Sequence, residues 1–190
     1  MSLPNWVLQE IANASWDLCV TQGYEHLAYA DQGMPITEQR TTLAPIAMAK
    51  AISALQPAQN DSVLEVGSSV MRLTSLFSSL CCSVFLLEPD NTRYLADVAL
   101  VEQLELRNVN VTLGEKISEN HKFDIIMINS SVASLPEYLL SALNVGGRIC
   151  YVQNNALMLC ELQEAGVTTQ QICAADLAFL PSFMDTDFKF

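Results

Sequence analysis

The chain is predicted to be a doubly wound α/β domain, and three features of its 190 residues point there. From Asp61 onward, short apolar strands alternate with amphipathic helices over short connections, the pattern of a mostly parallel sheet. One segment, Phe123-Asp124-Ile125-Ile126-Met127-Ile128, is nearly all apolar, as a strand buried on both faces should be. Gly67 and Gly146-Gly147 punctuate junctions where the periodicity changes.

Taken in order, Pro4 suits a first helical turn, and apolar spacing predicts a helix over Trp6 to Val20, with Trp6 and Trp16 anchoring it. The polar stretch Ala30 to Thr42, holding Gly33 and Pro35, reads as a long loop. Pro45 opens an Ala-rich helix, Ile46 to Leu55, that ends before Pro57. Strands are expected at 62–66, 83–87, 109–113, 123–128, 148–153 and 169–174. The helices between them are expected at 70–80, 91–104 (capped by Asn91), 136–143 and 156–165. No repeat or linker divides the chain. Residues 1–60 supply N-terminal helices and a substrate-side loop, and 61–190 the Rossmann-like core, all within one domain.

Composition removes several functions. Nine basic residues against 21 acidic ones, with no basic run, argue against nucleic acid and anionic lipid as partners. No apolar stretch is long enough to cross a membrane, and the N-terminus lacks a secretion signal. Six cysteines without a Cys-x-x-Cys pair, and only His26 and His121, predict no metal site. They read instead as buried thiols in a reducing cytoplasm. Only 16% of residues are charged and mean hydropathy is +0.25, so either the core dominates or apolar surface is covered by a partner. The nearly uncharged helices Ile46–Leu55 and Val70–Ser83 are the candidates for such a surface, most simply shared with a second copy of the chain.

In this fold ligands bind beyond the carboxyl ends of the strands, beside the first strand. That region is Glu65-Val66-Gly67-Ser68-Ser69-Val70-Met71-Arg72. Gly67 permits a tight turn and close approach, while Ser68 and Ser69 offer N–H groups at a helix N-terminus. A plain turn is the simpler alternative. Glu88 closes the second strand, where an acid can accept from both hydroxyls of a ribose; a solvated strand end is its alternative. Glu115, after Gly114 at the end of the third strand, lies where an adenine would. Asp124 begins its strand, so it belongs to the opposite rim and to structure.

Four segments resemble the protein-L-isoaspartate O-methyltransferase family. They are Leu27-Ala28-Tyr29-Ala30-Asp31-Gln32-Gly33-Met34-Pro35-Ile36, Val63-Leu64-Glu65-Val66-Gly67, Phe123-Asp124-Ile125-Ile126 and Leu143-Asn144-Val145-Gly146-Gly147-Arg148. The resemblance runs from about Val20 to Phe183. It implies a Rossmann-like fold that binds S-adenosylmethionine and methylates a protein or peptide carboxylate, the start of isoaspartyl repair. The implied cofactor set is Glu65, Gly67, Ser68, Ser69, Glu88, Gly114, Glu115 and Asn129.

Two motifs depart from the family. Its Gly-x-Gly-x-Gly is here Gly67, Ser69 and Met71. In the loop Pro35-Ile36-Thr37-Glu38-Gln39-Arg40-Thr41-Thr42-Leu43-Ala44-Pro45 both glycines are gone, and Leu43 stands where a serine handles the isoaspartyl group. Leucine neither donates nor accepts. Thr41, Thr42 or Ser130 is then a candidate for the missing hydroxyl, with Asn129-Ser130-Ser131 otherwise capping a turn. Arg40 either pairs a substrate carboxylate or is a solvated loop charge. Two functions stay open: an S-adenosylmethionine-dependent carboxyl methyltransferase, or a non-catalytic methyltransferase-fold protein serving as a binding or dimerisation module. The tail, Phe183 to Phe190, is expected as an edge strand, an interaction arm or a frayed end.

Overall fold

The computed structural model describes residues 3–114, 117 and 121–178; Glu115 and the 183–190 tail lie outside them. Seven strands form one sheet: β1 (Ser62–Val66), β2 (Ser83–Glu88), β3 (Val109–Leu113), β4 (Phe123–Ser131), β5 (Leu143–Gln153), β6 (Ala156–Gln163) and β7 (Gly166–Ala174). Their order is β3-β2-β1-β4-β5-β6-β7, parallel through β5 and antiparallel at β6 and β7. The chain reverses direction across the sheet at β1, between β2 and β4, and the carboxyl ends at such a switch point are where sheets of this kind bind ligands.

Side-chain alternation divides the core. Val63, Ile125, Met127, Cys150 and Val152 face α1 (Asn5–Asn13), α2 (Pro45–Leu55) and α3 (Arg72–Leu80). Leu64, Val66, Ile126, Ile128 and Ile149 face the other side, where α5 (Glu137–Ser141) contributes Leu139. Between β2, β3 and α4 (Asn91–Gln103), a smaller cluster holds Cys19, Met71 and Leu86. Phe123, Ile125, Ile126, Met127 and Ile128 are all buried, as the reading of that strand required.

Several expectations are corrected. The helix expected at 156–165 is strand β6. Asn154 and Asn155, with φ of 50° and 57°, make a two-residue turn that pairs Gln153 with Ala156, and the hairpin overrides the helical propensity of Ala, Leu and Met. The first helix ends at Asn13 rather than Val20. Ala14 is extended, and Trp16 lies beyond the helix with its indole Nε1–H donating to the Ile11 carbonyl at 2.7 Å. Trp16 is buried and Trp6 is 37% exposed, so one tryptophan anchors rather than two. Asp90, not Asn91, caps α4, its carboxylate accepting from Arg93 N.

The low-charge helices are covered by the chain itself. In α2, Ala47, Met48, Ala49, Ala51, Ile52 and Leu55 are buried, as are Leu73, Leu76 and Phe77 in α3. Their missing charge therefore reflects two-sided burial, and the reason for inferring a shared surface there disappears. No helix among the described residues is long and apolar enough to cross a membrane. The described cysteines are free thiols: Cys19, Cys81, Cys150 and Cys160 are buried, Cys173 is half-buried and Cys82 exposed.

Candidate functional site

The crevice begins where β1 runs into α3. The turn holds three left-handed residues of which only one is a glycine: φ is 78° at Gly67, 58° at Val70 and 63° at Met71. A left-handed conformation costs a β-branched or long side chain of order 1 kcal/mol, and persists only where packing dictates it. Packing does so here. Val70 and Met71 are fully buried, and the Met71 side chain joins Cys19 and Leu86.

Burial of the next residue locks the N-terminal segment onto this turn. Arg72 is 1% exposed; its Nε donates to the Cys19 carbonyl at 3.0 Å and an Nη to the Ala28 carbonyl at 3.1 Å. Its guanidinium also lies 4.7 Å from the centre of the Trp16 ring.

Beneath the turn lies Glu65, fully buried. It accepts from Ser69 Oγ at 2.7 Å, Thr74 Oγ1 at 2.5 Å and Asn129 Nδ2 at 2.6 Å. Burial without a cation pushes its carboxyl up to about 7, although these three donors oppose the shift. Ser69 Oγ also accepts from Leu73 N, capping α3. Glu65 and Ser69 thus brace the turn from below. Thr74, which spacing alone did not single out, completes the brace one helical turn into α3.

Glu88, at the end of β2, was expected to hold a ribose. In the structure all its acceptor capacity is used within the chain. Arg40 donates to both oxygens, at 2.8 and 3.1 Å, while Ser68 N reaches Oε2 at 2.7 Å and Asp90 N reaches Oε1 at 2.9 Å. Both side chains are buried, 8% and 0% exposed. Arg40 is therefore not a solvated charge, and the reason is the complementary fork of guanidinium and carboxylate in a site closed to water. The Ser68 N–H expected to face an anionic ligand faces the protein's own carboxylate.

A second buried carboxylate stands behind it. Asp97, on α4, accepts from Ser68 Oγ at 2.9 Å and from Arg93 Nε at 2.8 Å, and its Oδ2 has no hydrogen-bond partner. Burial pushes its carboxyl up to about 6, with Arg93 pulling the other way.

On the β4 side, Asn129 donates through Nδ2 to the Gly67 carbonyl at 2.7 Å as well as to Glu65, while its Oδ1 is buried without a partner. Ser130 Oγ is engaged with the carbonyls of Ser131 and Ala178. Ser131 N donates to the same Ala178 carbonyl, so residues 175–178 cross the end of β4, with Leu177 sunk into the core. Thr42 Oγ1 accepts from Met34 N and donates to the Leu43 carbonyl. Thr41 is exposed, in an isolated bridge to Pro35. Leu43 is 3% exposed within the main core cluster. Gly114 N donates to the Glu88 carbonyl, with φ at 154°. Glu65, Gly67, Ser68, Ser69, Glu88 and Asn129 are thus brought together and buried, with Gly114 half-buried beside them. Thr41, Thr42 and Ser130 do not form one hydroxyl cluster.

The opposite rim is of a different kind. Asp124 accepts from Ser62 N and Oγ and from Asn144 Nδ2, and Asp61 pairs with Arg148 at 2.8 Å. Asp124 is structural there, as its place in the strand predicted.

Residues 5–183 match the family model described as Protein-L-isoaspartate(D-aspartate) O-methyltransferase. Two curated relatives carry the name Protein-L-isoaspartate O-methyltransferase. The Desulfosudis oleivorans protein is 30% identical over 76% of this chain, and the Roseiflexus protein 29% identical over 92%. The matches span 66% and 83% of those proteins. Among solved structures, a protein-L-isoaspartate O-methyltransferase superposes with a TM-score of 0.78 at 17% identity, covering 94% of this chain and 62% of its own. A Plasmodium falciparum structure titled as a beta-aspartate methyltransferase of this kind, in complex with S-adenosyl-L-homocysteine, gives 0.70 at 16% identity, covering 96% of this chain and all of its own. Matched by the family model over nearly all of its length, the chain belongs to the protein-L-isoaspartate O-methyltransferase family.

Proposed function

We propose that the chain is an S-adenosylmethionine-dependent methyltransferase for a protein or peptide carboxylate other than the isoaspartyl group. The observation that carries this reading is the cradle at the end of β1. The turn keeps left-handed backbone at Gly67, Val70 and Met71, and the Gly67 carbonyl accepts from a buried Asn129 whose Oδ1 lacks a donor. An ammonium group, such as that of the cofactor's methionine part, would satisfy that oxygen. Glu65, Ser69 and Thr74 fix the Asn129 amide in place.

The ribose half does not fit as the chain stands. Glu88 already accepts four hydrogen bonds, about the full complement of a carboxylate, so a diol finds no acceptor there. The acceptor side departs as well, since Leu43 is part of the core and Thr42 is spent on the backbone.

Radiolabelled methyl transfer to an isoaspartyl peptide and to peptides with ordinary carboxylates tests the assignment. Turnover on the isoaspartyl peptide is expected about 100-fold below that of an ordinary family member, the scale of losing one well-placed hydrogen-bonding group. Equal turnover overturns the acceptor assignment. Calorimetry with S-adenosylhomocysteine tests the cofactor, and no heat at millimolar ligand would favour a non-catalytic binding module instead.

A further inference from the structure

We infer that Arg40 is a built-in competitor of the cofactor: its guanidinium holds the carboxylate that a nucleoside's ribose needs, and its withdrawal sets cofactor affinity. The inference rests on the proposed reading of the crevice as a cofactor site. A charged diol-like mimic inside the chain is the simplest description of the contacts. Two N–H donors of Arg40 bind Oε1 and Oε2 of Glu88 side by side, at 2.8 and 3.1 Å, as two vicinal hydroxyls would.

The segment carrying Arg40 is built to move as a unit. Its base is tied by Thr42 N to the Met34 carbonyl, at 2.8 Å, and by Met34 N to Thr42 Oγ1. Gly33 lies so close that a Cβ there would meet the Thr42 carbonyl at 2.5 Å, so the two arms of the turn are in close contact at that point. Beyond the base, Ile36 N bonds the Arg40 carbonyl and Thr37 Oγ1 accepts from Arg40 N, closing the turn on itself. Thr37, Glu38 and Gln39 are exposed, while Arg40 reaches inward to Glu88. Swinging the tip outward breaks the ion pair and leaves the internal bonds of the turn intact. The vacated Glu88 keeps its two backbone donors, Ser68 N and Asp90 N, and so stays positioned with one acceptor site open on each oxygen.

Titration calorimetry with S-adenosylhomocysteine on the full chain, Arg40→Gln and Arg40→Lys tests the inference, each variant's fold checked by its thermal transition. Arg40→Gln is expected to bind about tenfold or more tightly than the native chain, because the competing state is removed. Arg40→Lys, which cannot fork, should fall between them. A native chain that binds at least as tightly as Arg40→Gln overturns the competitor while leaving the cofactor site standing. No binding by either overturns both. Arginine modification by phenylglyoxal on the native chain needs no variant: Arg40 is 8% exposed in the pair, so saturating ligand should speed its modification, and slower or unchanged modification refutes the displacement.

Discussion

The two ends of the parallel sheet treat carboxylates differently. At the amino ends, Asp61 and Asp124 tie loops together from partly exposed positions, and the Arg148–Asp61 pair keeps 19% and 15% of its side-chain surface. At the carboxyl ends, Glu65, Glu88 and Asp97 are fully buried, each bonded to side chains that sequence distance had separated by up to 64 residues. Taking a charge out of water costs several kcal/mol even after relaxation. A rim that needed only stability would resemble the amino end. The carboxyl end instead gathers three buried acids around the β1–α3 turn, the arrangement on which the proposed cofactor site rests.

Breaking the buried pair should give the largest effect. Glu88→Ala or Arg40→Ala leaves an unpaired buried charge and is expected to lower unfolding free energy by about 3–5 kcal/mol in urea titrations. The corresponding Asp61→Ala change at the amino end should cost about 1 kcal/mol or less. Equal losses would erase the distinction between the two ends.

The pH dependence should also differ in sign. Glu65 and Asp97 titrate above their ordinary range in the folded chain, at about 7 and about 6, so the folded state holds protons that the unfolded chain has released. Their contribution is therefore full below the ordinary carboxylate range and lost as pH rises through 7. For Asp124, partial burial acts upward but the Ser62 and Asn144 bonds prevail and hold it below its usual value. Its contribution is present above that value and lost on acidification. Thermal midpoints should fall from pH 5 to pH 8, and Glu65→Gln should flatten the slope, whereas Asp124→Asn should leave it in place.

The smallest test concerns the turn. Val70→Ala and Val84→Ala each truncate a fully buried valine, but only Val70 is left-handed. Relief of strain should make the Val70 change milder by about 1 kcal/mol.

How much of this could be seen beforehand depends on the range of the interaction. The parallel strands, the place of the crevice and its acids followed from local periodicity and from the position of Glu88 at a strand end. The Arg40–Glu88 pair did not, because its partners are 48 residues apart and a lone arginine in a polar loop carries no pattern. Strand β6 was hidden for the opposite reason. Its residues favour helix locally, and only the Asn154-Asn155 turn and the edge it pairs with decide otherwise. Asp97 was not singled out from the sequence, although its four-residue spacing from Arg93 along α4 is the local pattern of an ion pair.

Leu43 ties the loop to the core and leaves little room for a polar side chain in its place. Its side chain sits in the same core cluster as Val7, Met48 and Ile52. Restoring a serine there would open a cavity and bury a hydroxyl, together costing on the order of 3 kcal/mol. A serine at this position would therefore need compensating changes among the core neighbours of Leu43.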